Sequence, residues 1–243
     1  MLQAVWNPAG GLRYHLRARR HRAHLWAAFR SDLEAWFENW RPPARRLAVI
    51  GPSGGYCLPL GLLARFERLL FFEPDPIARM VLSRRLRSLP DSPSLTWVTE
   101  DVWIEPLLRG GAPPVVSLAR DTAILFSNFM GQLMFLVPDN RWAEFCAAFR
   151  ERVWPSLERV PWASFHDRLS GSLAPHIVSA DCQGARLDDS KVLHWYGAYG
   201  AGELLDHGTA GLVPPGRSYA YFHWPLIPDQ HHLIEAVVGG VTS

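Results

Sequence analysis

Between Arg46 and Asp75 the chain reads RLAVIGPSGGYCLPLGLLARFERLLFFEPD. An apolar run, Leu47 to Ile50, stops at the small-residue turn Gly51-Pro52-Ser53-Gly54-Gly55. A helical pattern follows, and a second apolar run, Leu69 to Phe72, ends on Glu73. This is the order of a βαβ unit, which confines the chain to folds with a parallel sheet. Small residues at the first turn let backbone approach a ligand closely, and an acid at the second strand tip can accept hydrogen bonds from both hydroxyls of a ribose. Glu73 follows Gly51 by 22 residues, near the roughly 20 of a nucleoside site. A nucleoside-containing cofactor is expected.

The pattern recurs downstream. Strand-like runs at Leu95–Val98, Ala123–Phe126 and Val160–Phe165 each end in polar residues, and the tips Glu73, Asp101, Asn128 and His166 succeed Gly51 at intervals of 22, 28, 27 and 38 residues. Strands alternating with helices at this interval make a parallel sheet with right-handed crossovers, whose ligands bind beyond the carboxyl ends. Ser218–Trp224 and His231–Val238 read as two closing strands around a turn at Pro228-Asp229-Gln230.

A dinucleotide turn, G-x-G-x-x-G, would need glycine where Gly51, Ser53 and Tyr56 stand. The segment instead resembles motif I of the class I S-adenosylmethionine (SAM)-dependent methyltransferases, a G-x-G-x-G turn, with Ser53 in the middle place. Val49 stands where such families usually carry an acid. The order of elements over roughly residues 45–240 is similar too. The resemblance implies an α/β fold: a doubly wound, mostly parallel seven-stranded sheet with a C-terminal antiparallel hairpin. It implies SAM as cofactor, held by Gly51, Ser53, Gly54, Gly55 and Glu73. Asp101 and Val102 would meet the adenine, and Asn128 and Phe129 would lie beside the methyl donor. The activity implied is methyl transfer to a small-molecule acceptor. Two readings stay open beside it: a methyltransferase-like binding protein without catalysis, suggested by Val49 and Ser53, and an NAD-linked oxidoreductase, which keeps Glu73 but lacks the third glycine.

Residues 1–45 are expected to form a helical cap ahead of the domain at 46–243. Leu25, Phe29, Leu33, Trp36, Phe37 and Trp40 make one apolar stripe on a helix of about Ala18 to Trp40, ended by Pro42-Pro43. The preceding loop-like stretch carries Tyr14, His15 and Arg17, candidates for contact with the acceptor. The long connection at 168–217 reads as a lid insertion, because long loops in compact domains tend to serve function. Its Trp195, Tyr196 and Tyr199 could hold a planar or cationic group. Methyl transfer needs a base only if the acceptor carries a proton that must leave; His166 and Asp167, at a strand tip, are the candidates by position.

Composition narrows the rest. No apolar run reaches the roughly 18 residues of a membrane helix, no secretory signal is evident, and Cys57, Cys146 and Cys182 stand far apart, which suits free thiols in the cytoplasm. The ten histidines contain neither H-x-x-x-H nor H-E-x-x-H, so no metal is expected. Net charge is only +2, but residues 1–46 carry nine arginines against three acids, a local net of +6. Within them, Arg17-Ala-Arg-Arg-His-Arg22 is a set of cations able to meet phosphates. A solvated helix face is the plainer reading, and nucleic acid is not the favoured partner.

Overall fold

The computed structural model describes residues 11–89, 93–113, 118, 121–176, 179–182, 186–197, 204–214 and 218–240. Helices α1 (Gly11–His21) and α2 (Ala27–Asn39) lead into β1 (Arg46–Ile50), α3 (Leu60–Leu63), β2 (Arg68–Phe72), α4 (Pro76–Leu86), β3 (Ser94–Val98), α5 (Ile104–Leu108) and β4 (Thr122–Ser127). Next come α6 (Leu133–Leu136), α7 (Trp142–Arg152), α8 (Trp154–Leu157), β5 (Trp162–Gly171), β6 (Ser179–Cys182), α9 (Asp189–His194), β7 (Leu204–Asp206), β8 (Ser218–Ile227) and β9 (Gln230–Gly239).

Strand order is β3-β2-β1-β4-β5-β9-β8-β6. The pairs among β1 to β5 are parallel, and β9, β8 and β6 run antiparallel beyond β5. This is the doubly wound α/β sheet with a closing hairpin. It has nine strands among the described residues where seven were expected. The two additions are short and come from the 168–217 connection: β6 joins the outer edge of β8, and β7 pairs with Leu169–Gly171, where β5 runs on past the end of β4.

Residues of β1 alternate between two cores. Leu47 and Val49 face one with Phe71, Leu125 and Phe165; Ala48 and Ile50 face the other with Phe72, Ile124 and Phe126. Period-2 alternation buried on both sides is what a parallel strand between two helical layers requires. The N-terminal helices supply part of the first layer. Trp26, Phe29, Leu33 and Phe37 are at most 1% exposed, and Phe29 stacks on Trp224 at 5.1 Å while Phe37 meets Phe165 at 6.1 Å.

The single helix expected from Ala18 to Trp40 is two helices, broken over residues 22–26, and Tyr14 and His15, expected in a loop, lie on the first of them. No proline causes the break. Both helices contact β8, but α1 also docks on α4, through His15 and Asp75, and the Trp26 indole N–H is fixed to the Leu226 carbonyl at 3.0 Å. Two docking directions override a periodicity that would allow one rod.

Candidate functional site

One cleft of about 400 Å³ collects the carboxyl ends of the parallel strands. Gly51, Pro52 and Ser53 enter from β1, Glu73 and Asp75 from β2, Asp101 and Val102 from β3, and Asn128 and Phe129 from β4, with Phe165 of β5 behind them. β1 lies between β2 and β4, so successive crossovers diverge here, the topological switch point where ligands of open α/β sheets bind.

The first turn is built for close approach. Gly51 has φ +67°, and a Cβ there would press on the Phe129 ring at 3.2 Å. Ser53, also left-handed at φ +49°, donates its N–H to Glu73 Oε2 at 2.7 Å. Asp75 N donates to Glu73 Oε1 at 2.9 Å, so the carboxylate is clamped across the gap between β1 and β2. Glu73 is 6% exposed. Burial pushes its pKa up to about 7, against the two N–H donors that favour the charged form.

Gly54 and Gly55 do not line the cleft, against expectation. A Cβ on Gly54 would strike the Tyr56 ring at 2.6 Å, and one on Gly55 (φ +64°) would strike Leu82 of α4 at 2.6 Å. They serve the packing of the turn on its own protein. Asp101 accepts from Trp103 N at 2.9 Å and Ile104 N at 3.1 Å through Oδ1, capping the start of α5. Its other oxygen is not engaged in these bonds.

Asn128 adopts φ +53°, a conformation asparagine tolerates better than most residues. Its side chain grips Asp167: Asn128 Nδ2 donates to Asp167 Oδ2 at 3.0 Å, and Asp167 N donates to Asn128 Oδ1 at 2.8 Å. Gln132 Nε2 adds a 2.6 Å bond to the same oxygen, and His232 Nδ1 donates to Asp167 Oδ1 at 2.8 Å. Burial alone would raise the Asp167 carboxyl, but the neighbouring His232 and His207, with the His232 and Asn128 hydrogen bonds, hold it well below the usual carboxylate range. His232 Nε2 is buried with no hydrogen-bond partner among the described residues. The pair stands behind the cleft wall formed by Asn128, Gln132 and Trp224, whose ring lies 5.6 Å from His232.

Asp167, His207 and His232 bring three ligand-type atoms within 4.8 Å of one another. The His207 nitrogens are taken by the Gly131 carbonyl at 2.7 Å and the Ser170 hydroxyl at 2.9 Å, and both Asp167 oxygens are bonded to protein. Among the described residues that leaves His232 Nε2 as the one ligand-type atom of the three residues not engaged by protein, which is not a set able to encircle an ion.

His166, the other candidate base, points to the opposite face. It is fully buried between Ser164 Oγ at 2.9 Å and Glu235 Oε1 at 3.3 Å. Glu235 is also held by Arg168 at 2.9 Å, Arg186 at 2.8 Å and the Tyr221 hydroxyl at 3.0 Å. Adjacent strand residues point to opposite faces, so His166 and Asp167 cannot both reach the cleft. Trp195 and Tyr196 are likewise misplaced as cleft residues: they are 8% and 2% exposed in the second core, with Trp195 edge-on to Tyr221 at 5.3 Å. Tyr199 lies outside the described residues.

Of the N-terminal candidates, Tyr14 lines the cleft beside Tyr56. His15 stands behind it, bonded to the Tyr56 hydroxyl at 2.9 Å and to Asp75 Oδ2 at 3.1 Å. Arg17 lines neither this cleft nor the neighbouring groove. His232 was missed in the sequence because its role comes from a partner 65 residues away; its place in a strand gave no local signal.

No protein-family profile and no curated protein matches the chain. Among solved structures it is similar to the N-methyltransferase NodS of Bradyrhizobium japonicum WM9 in complex with S-adenosyl-L-homocysteine (10% identity, 93% of this chain and 98% of that one, TM-score 0.43). It is also similar to the magnesium protoporphyrin IX methyltransferase of Synechocystis PCC 6803 with bound SAM (11% identity, 89% and 79%, TM-score 0.39). A third is the glycopeptide N-methyltransferase MtfA complexed with SAM (14% identity, 86% and 93%, TM-score 0.40). The strand order and the cleft stand on this chain's own residues. No helix among the described residues is long and apolar enough to cross a membrane.

Proposed function

We propose that the cleft binds SAM and that the protein transfers its methyl group to a small-molecule acceptor. The observation that carries this reading is the Glu73 carboxylate, buried at the tip of β2 and clamped 2.7 Å from the Ser53 N–H of the β1 turn. A carboxylate fixed there accepts hydrogen bonds from a ribose diol. The cleft volume falls within the range of small-molecule sites, and its walls are largely aromatic and apolar around a few polar groups. Gly51 and Ser53 leave backbone open to the ligand, Asp101 and Val102 bound the adenine end, and Asn128 and Phe129 bound the reacting end.

When bound, SAM supplies an electrophilic methyl group on a sulfonium. The chain's part is mainly positional. Tyr14, Phe129, Phe165 and Trp224 enclose the acceptor and exclude water, which holds the reacting atoms in line. Asp167 and His232 stand behind the cleft wall and act on the reacting end through Asn128 and Gln132, both of which Asp167 Oδ2 holds in place.

Calorimetry with SAM, S-adenosylhomocysteine and NAD tests the cofactor. Binding of the first two in the micromolar range is expected; binding of NAD alone gives the site to an oxidoreductase. Label transfer from methyl-labelled SAM to extracts of the source cells tests the chemistry, and SAM binding without transfer favours the non-catalytic reading.

A further inference from the structure

Beside the cleft, a second concavity of about 610 Å³ opens between α1 and α4. Arg19, Arg22, Arg84 and Arg85 surround it over an apolar floor that includes Leu16 and Val81. We propose that this groove binds an anionic group, a phosphate or carboxylate, carried by the acceptor; the assignment to the acceptor rests on the cleft being the SAM site.

Four arginines line the groove, from α1, the turn that follows it and α4, and among the described residues none of them forms an ion pair with a carboxylate. Asp75, a neighbouring acid, is already engaged by His15 Nε2 and by the Ile77 N–H that it caps. Arg85 spends its donors on the Gly54, Gly55 and Leu58 carbonyls, so it acts as a fixed charge in the wall. Burial and the nearby Arg22 and Arg30 charges pull its guanidinium below the ordinary value. Arg19, Arg22 and Arg84 are exposed. Arg84 and Arg19 also sit in last turns, where a cation suits the helix dipole. That explains a cation at each helix end, but not a convergence of four on one concavity. Like charges held together without a counter-charge favour an anion, and planar guanidiniums match phosphate and carboxylate oxygens in paired hydrogen bonds.

Tyr56 lies between the two spaces. It lines both the cleft and the groove, its hydroxyl is held by His15 at 2.9 Å, and the Arg22 guanidinium lies 6.0 Å from its ring centre. An acceptor with its anion in the groove would pass Tyr56 to place its reactive end in the cleft. Part of the arginine cluster at 17–22 thereby acquires a use: Arg19 and Arg22 face the groove and Arg17 does not.

The test uses the full chain, with and without saturating S-adenosylhomocysteine, titrated at low salt with inorganic phosphate, acetate and a short single-stranded RNA in separate arms. Arg22→Gln/Arg84→Gln is the variant, since both side chains are exposed and their loss leaves the core intact. Phosphate or acetate is expected to bind the native protein and to bind the variant roughly tenfold or more weakly. The variant should bind S-adenosylhomocysteine unchanged. Equal anion affinity in both proteins, or no anion binding at all, overturns the proposal. So does anion binding that S-adenosylhomocysteine abolishes, which would give the groove to the cofactor's own carboxylate. RNA binding far tighter than phosphate, lost in the variant, would make the groove part of a nucleic-acid surface. If S-adenosylhomocysteine does not bind but phosphate does, the cofactor reading fails while the anion site stands.

Discussion

His232 donates a 2.8 Å hydrogen bond from Nδ1 to Asp167 Oδ1, and the opposite nitrogen, Nε2, is buried with no partner among the described residues. The pair stands behind the cleft wall and holds Asn128 and Gln132 through Asp167 Oδ2, so it positions the reacting end. Misplacement there costs up to about 10²-fold: His232→Gln should lower label transfer by that order and leave the SAM dissociation constant within about twofold. Asp167→Asn keeps the side-chain size but loses the charge-assisted bonds from His232 and Gln132, so it should act in the same direction. Unchanged transfer in both variants would show that the pair does not position the reacting end.

The cofactor prediction is a pH dependence with a defined sign. Burial raises the folded Glu73 pKa to about 7 from the ordinary 4.5, so in the ligand-free protein it binds a proton that the unfolded chain has lost. Its contribution to stability therefore falls as pH rises through that window. Ribose hydroxyls donate to the ionised carboxylate, so SAM binding expels the proton. Affinity should strengthen as pH rises toward 7, by at most about tenfold per unit, and level off above it. Glu73→Gln should flatten this profile, and Glu73→Ala should weaken SAM by about 1.5–3 kcal/mol, roughly 10- to 150-fold. Calorimetry between pH 5.5 and 8 reads both; a flat profile in the native protein removes Glu73 from the ribose.

The Glu235 network on the other face makes an acid-stability prediction. Burial would raise this carboxyl, but the His166 hydrogen bond and the His166, Arg186 and Arg168 charges outweigh it and hold it at about 2. A depressed carboxylate contributes stability above its unfolded pKa and loses it as pH falls through the folded one. The loss is thus expected between about 4.5 and 2. Glu235→Ala strands Arg168, which is 1% exposed, and should cost about 3–5 kcal/mol. Urea denaturation at pH 7 and pH 3.5 reads both effects, and the native–variant difference should shrink at the lower pH.

The β1-to-β4 frame could be read from local pattern because parallel strands are short apolar runs with polar tips, and Glu73, Asp101 and Asn128 mark those tips directly. What the sequence hid depends on contacts across long separations. Gly54 and Gly55 look like ligand-approach residues until the Tyr56 ring and Leu82 are seen to occupy the space beside them. His166 and Asp167 are neighbours in the chain, yet a strand sends them to opposite faces, and His232, which pairs with Ser170 in the β5–β9 ladder, reaches diagonally to Asp167 across a register shift between Asp167 and Leu169. The break at 22–26 is likewise set by where α1 and α2 dock, which no periodicity within the segment encodes.

The 168–217 connection gives the last prediction. Its aromatics read as a lid because glycines flank them, but Trp195 and Tyr196 are buried in the core layer opposite the N-terminal helices and are absent from the cleft lining. Removing a buried indole loses its transfer free energy and leaves a cavity, together about 3–5 kcal/mol. Trp195→Ala should therefore lower the melting temperature substantially, by roughly 2–4 °C per kcal/mol for a chain of this size. SAM affinity, measured well below the variant's melting temperature, should match the native protein. Trp195→Phe keeps most of the packing and should recover most of the stability. A variant that melts like the native protein but loses methyl transfer would return this segment to the role of a lid.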